Sequence, residues 1–75
     1  MMQTKQRLNR VSFEPATFRP YAIIHEGAFI GWVKDLPGGR YQINMGPDGL
    51  DGQEFSTLGD MRVAIEKYYG ARQWK

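Results

Sequence analysis

The sequence predicts an α+β domain: a three-stranded antiparallel meander with one C-terminal helix packed on one face (βββα). Two turn signals, Glu26-Gly27 and Leu36-Pro37-Gly38-Gly39, divide residues 21–45 into three runs of strand length. The last run, Arg40 to Met45 (RYQINM), alternates polar and apolar residues, the period of a half-buried strand. From Thr57 to Tyr69 the period changes. Leu58, Met61, Ala64, Ile65 and Tyr68 recur at the spacing of one helix face. Strands followed by a helix bury both apolar surfaces when the helix lies across the sheet.

Met1 to Arg10 is polar, basic and without period, and reads as a disordered arm in front of a single domain over 11–75. Val11 to Pro20 (VSFEPATFRP) holds two prolines, each of which removes a donor and clashes inside a helix. An extended segment is expected there, with Val11, Phe13 and Phe18 packed on the body. Tyr21 to His25 (YAIIH) and Ala28 to Asp35 (AFIGWVKD) are the first two strands, and Gly27 supplies the positive φ of a two-residue turn. Gly46 to Gly52 (GPDGLDG) is a loop, and Gln53 to Phe55 adds a short edge pairing. Thr57 is the helix N-cap with Asp60 at N3, and Gly70 is placed to stop the helix.

Side-chain parity then sorts the strands. With Glu26-Gly27 as the first turn, His25 opposes Ala28, Ile23 opposes Ile30 and Tyr21 opposes Trp32. A second loop of two or four residues puts Trp32 and Lys34 on the same side as Tyr41 and Ile43. A three-residue loop reverses that facing. The first face, with Tyr21, Ile23, Ala28, Ile30, Trp32, Tyr41, Ile43 and Met45, is expected to receive the helix and form the core. Trp32 is assigned there because large aromatics dominate small cores. The second face carries Ala22, Ile24, Phe29, Gly31 and Val33 beside Arg40, Gln42 and Asn44. One helix covers one face. Either the 11–18 segment folds over the Ile24, Phe29, Val33 strip, or the strip is free as a dimer seam or partner-binding surface.

The chemistry excluded is broad. A chain of 75 residues makes one small domain with no room for a cleft between subdomains. It has no cysteine, which excludes disulfides, thiolate metal sites and a cysteine nucleophile. The absence of disulfides and of an apolar leader in residues 1–10 points to the cytoplasm, and no apolar run reaches membrane-spanning length. His25 is the one histidine and has no committed carboxylate partner, so it is read as structural, and no enzyme activity or cofactor is expected. Ser56 fits local capping. The D-G-L-D-G-Q-E run lacks the ligand spacing of a calcium loop and reads as an acidic surface loop.

Charge is unevenly placed. Net charge is +2, with four cations against one anion in residues 1–20 and three anions in residues 46–56. Arg40, Gln42 and Asn44 stand on one face of one strand and are residue types that pair with base edges. Lys5, Arg7 and Arg10 on the arm add possible phosphate contacts.

Gly39-Arg40-Tyr41-Gln42-Ile43, followed by Gly52-Gln53-Glu54-Phe55-Ser56-Thr57-Leu58 and the helix Asp60 to Tyr69, carries a likeness. Over Phe29 to Tyr69 the chain distantly resembles AP2-type and integrase arm-type DNA-binding domains in topology. That resemblance implies a sheet face that reads DNA. In style the whole chain also resembles the small accessory proteins of phages and mobile elements, anti-CRISPR inhibitors among them. The leading expectation is therefore a non-catalytic interaction protein that occupies a host protein or protein–nucleic-acid complex through Ile24, Phe29, Val33, Arg40, Gln42 and Asn44. The alternative is direct DNA binding by Arg40, Gln42, Asn44 and the arm.

Overall fold

Among the described residues, five antiparallel strands, paired in sequence order, form one sheet with a single helix. The strands are β1 (Val11–Pro15), β2 (Tyr21–His25), β3 (Ala28–Leu36), β4 (Arg40–Asn44) and β5 (Glu54–Phe55); the helix is α1 (Leu58–Gln73). The computed structural model describes residues 9–73, with side chains over 9–70.

The α+β class and the C-terminal helix stand; the three-stranded sheet is corrected to five. Proline misled the reading of 11–20. Pro15 is the last residue of an edge strand, where its missing donor costs nothing, and Val11 to Pro15 pairs with His25 to Tyr21 in unbroken register. The chain's front segment thus extends the sheet sideways. β5 pairs Phe55 with Tyr41 and Glu54 with Gln42, as the short edge pairing required.

Two local irregularities turn β3 over. The β2–β3 hairpin begins as expected, with Glu26 and Gly27 at φ 53° and 83° and His25 facing Ala28. A bulge follows: Ile24 faces Phe29, but Ile23 faces Gly31, leaving Ile30 as the extra residue. Farther on, Leu36 pairs with Arg40, so the loop between them has three residues and reverses the facing again. The two shifts cancel for β4. Tyr41 and Ile43 stay on the helix side, Val33 replaces Trp32 there, and Trp32 moves to the other face.

The core consists of Val11, Ile23, Val33, Ile43, Leu50, Met61 and Ile65, flanked by half-buried Phe13, Tyr21, Ile30 and Leu58. Met45, expected in it, is 67% exposed in the left-handed region at φ 60°. Leu50, read only as a loop residue, is instead buried at 2%. Its loop is ordered by Gly52 N donating to Ile43 O (2.7 Å) and by Leu50 N and Asp51 N donating to Pro47 O. Gly46 is needed at the loop's start because a Cβ there would lie 2.7 Å from Ile43 Cγ2.

Thr57 caps α1, with Asp60 N donating to its Oγ1 at 3.0 Å. Gly70 does not end the helix, which runs to Gln73. A Cβ on Gly70 would sit 3.2 Å from Asn9 Nδ2, so glycine here leaves room for the Asn9 side chain. That amide donates to Glu66 O at 2.6 Å. Residues 1–8 of the expected arm, with Lys5 and Arg7, lie outside the described residues. Asn9 and Arg10 are joined to the body, and Glu26 N donates to Arg10 O at 2.9 Å.

Candidate functional site

The face of the sheet opposite α1 is assembled from alternate residues of each strand. Ala22 lies beside Trp32, Ile24 beside Phe29, Trp32 beside Asn44 and Lys34 beside Gln42. Residues 29 and 32 would point to opposite sides of a regular strand. The bulge at Ile30 puts both on this side, where their rings meet edge to face with centroids 4.9 Å apart. Phe29 is 52% exposed and Trp32 is half-buried.

The turn between β1 and β2 adds a rim. Arg19 places its guanidinium carbon 5.6 Å from the Trp32 ring centroid, a cation–π distance. Phe18 beside it is 89% exposed. Between this turn and the sheet lies a recess of about 450 Å³ bounded by Pro15, Phe18, Arg19, Ala22 and Trp32. A second recess of about 410 Å³, also bounded by Phe18 and Arg19, is closed by Pro20, Lys34, Asp35 and Asn44. Both are lined mainly by carbon and share Phe18 and Arg19; the second adds Lys34, Asp35 and the Asn44 amide.

At the far side, Arg40 Nε donates to Glu54 Oε1 at 3.4 Å, an exposed pair worth at most about 1 kcal/mol. Arg40 lies across the strands from Leu36, and Asp35 from Tyr41. Gln42 Nε2 donates to Gly52 O at 3.4 Å.

Ile24, Phe29, Arg40, Gln42 and Asn44 therefore share one face, as the sequence reading proposed. Val33 does not: it is fully buried against the helix side, because the bulge and the odd loop reverse β3. Trp32 and Arg19 were missed, and Phe18, expected to pack on the body, is 89% exposed. Trp32 was assigned to the core from a regular register; Gly31, an isolated glycine inside the strand, is the signal that could have marked the bulge. Phe18-Arg19, flanking a proline, is readable as an exposed turn once Pro15 is allowed to end a strand. Arg10 is exposed at the start of β1.

His25 occupies a different place. It is 8% exposed on the helix side, stacked on Tyr69 with centroids 3.9 Å apart. Its Nε2 lies 2.9 Å from Asn9 Oδ1 and 3.9 Å from Glu26 Oε2. With Asn9 also bonded to Glu66 O, and Val11 N donating to Glu66 Oε2 at 3.3 Å, the group ties the head of β1 to α1. Asp51 of the acidic loop is engaged by Gly46 N at 3.1 Å, and the Asp48 carbonyl accepts from Tyr68 Oη at 2.7 Å. Among the described residues no group of three His, Cys, Asp or Glu could hold a metal, and no helix is long and apolar enough to cross a membrane.

No family model matches the chain, and neither a curated protein nor a solved structure matches it.

Proposed function

We propose that this chain is a non-catalytic binding protein that engages a nucleic-acid-handling assembly through the open face of its sheet. It acts by occupying a surface in fixed stoichiometry, the mode of the phage and mobile-element accessory proteins it resembles in style. One observation carries the reading. β1 continues the sheet in its own plane, so Phe29 and Trp32 form an aromatic pair on the face that α1 leaves uncovered. An apolar centre ringed by Arg19, Lys34, Gln42 and Asn44 has the make-up of a contact surface, with aromatic anchors inside a polar rim. Reading duplex DNA through Arg40 and Gln42 is less favoured, because Glu54 and the Gly52 carbonyl already engage both side chains.

Replacing Phe29 with Asp tests the face. The substitution puts a charge on an exposed position and is expected to leave the far-ultraviolet circular dichroism unchanged. Capture of the partner from lysate, run with and without nuclease, is expected to be lost. Undiminished capture by the folded variant contradicts the proposal.

A further inference from the structure

The two recesses share Phe18 and Arg19; the first adds the Trp32 ring and the second adds Lys34 and Asn44, and a nucleotide likewise joins a ring to a charged group. We propose that the open face binds single-stranded nucleic acid, with a base against Trp32 and Phe18 in the first recess and a backbone phosphate at Arg19 and Lys34 in the second. This rests on the open face being the binding surface. It adds the occupant, and it rests on residues that the fold, not the sequence pattern, brings together.

Charge complementarity selects the occupant. Lys34 is exposed and shares the second recess with Arg19 and the Asn44 amide. Asp35 also borders that recess, but it follows Lys34 in the strand and so points to the other side of the sheet. The remaining carboxylates on the open face do not line the second recess: Glu54 is held by Arg40, and Glu14 stands on edge strand β1 opposite Ala22. The second recess therefore holds two cations on the open face, and the one carboxylate that borders it, Asp35, sits at a position that faces the other side.

Ring geometry decides between single and double strands. A duplex offers base edges and hides base faces, so exposed aromatic rings gain little from it. Unpaired bases present their faces and stack on Trp, Phe or an Arg plane. Here Phe18 is 89% exposed, Phe29 is 52% exposed, and the Arg19 guanidinium already lies against Trp32. These are surfaces for stacking, while the groups able to read base edges lie at the rim.

The experiment is fluorescence anisotropy with labelled oligo(dT), oligo(U) and a duplex of equal length, at low and moderate salt. Both single strands are expected to bind, and more tightly than the duplex; the two arms show whether the deoxy or the ribo strand is preferred. Trp32→Ala is expected to weaken binding about tenfold or more, with Trp32→Phe restoring most of it. Lys34→Ala, an exposed change that leaves the core untouched, is expected to weaken binding severalfold and flatten its salt dependence. Arg62→Ala, on the helix, is expected to bind as the native chain does.

Absence of single-strand binding at low salt, preference for the duplex, or native affinity in both Trp32→Ala and Lys34→Ala overturns the inference. Failure here is separable from failure of the binding face. If oligonucleotides do not bind but Phe29→Asp still abolishes nuclease-resistant capture of a protein, the face stands and its occupant is a protein surface. If capture also survives that substitution, both readings fall.

Discussion

Val33 and Phe29 sit four positions apart on one strand and have opposite fates. Val33 is fully buried and Phe29 is 52% exposed, although the larger ring has the greater apolar area. Val33→Ala is expected to cost about 2 kcal/mol through lost burial and an unfilled space. Phe29→Ala is expected to cost about 1 kcal/mol, chiefly its edge-to-face contact with Trp32. Urea denaturation of both variants checks the ordering; a strand of regular register would put Val33 on the open face with Phe29 and remove the difference. Gly46 gives a sharper case. A methyl at this position would meet Ile43 Cγ2 at 2.7 Å, and Ile43 is only 1% exposed and cannot move away. Gly46→Ala is expected to destabilise the fold by about 1–3 kcal/mol, read from the same denaturation curves.

Among the elements, β1 depends most on contacts distant in sequence. Asn9 bridges His25 Nε2 and the Glu66 carbonyl, and Glu66 in turn receives the Val11 amide. Asn9→Ala leaves a buried ring nitrogen without that partner and is expected to cost about 1–3 kcal/mol. Hydrogen exchange localises the effect: β1 amides should exchange faster while those of β3 and β4 do not. The helix cap is simpler, and Thr57→Ala should cost about 1 kcal/mol.

Elements governed by local rules were legible in the sequence. The Glu26-Gly27 turn, the bounds of β2, the Thr57 cap and the helix stripe through Met61 and Ile65 all follow from nearby residues. What escaped was set by tertiary context. Gly70 reads as a stop until Asn9 is seen against it, and Val11 to Pro15 reads as an unpaired extended segment until its partner β2 is known. Gly31 hints at the bulge at Ile30, but Ile30 and Trp32 fit either facing, so the glycine alone does not fix the register. That one extra residue decided the site: it exchanged Val33 for Trp32 and set Phe29 beside an aromatic partner.

At the scale of the whole molecule, the sheet divides the chain into a sealed side and an open one. The sealed side joins α1, the Leu50 loop and the His25–Asn9–Glu66 group into the body that backs the sheet. The open side carries aromatic rings at its centre and cations at its rim. With net charge of only +2, long-range attraction contributes little, so binding depends on close contacts. If Arg19 and Lys34 are the phosphate ligands, the logarithm of the single-strand affinity should fall with the logarithm of salt at a slope of about −1 to −2, as two displaced counterions require. A much steeper slope measured by titration would mean that many more cations take part than this face supplies.

The most direct measurement is a map of backbone amide shifts on titrating oligo(dT) into the isotope-labelled protein. Perturbations concentrated at Phe18 to Ala22, Phe29 to Lys34 and Gln42 to Asn44 are expected. Perturbations centred on Arg62, Val63 and Lys67 of α1, or none at saturating oligonucleotide, would contradict binding by the open face.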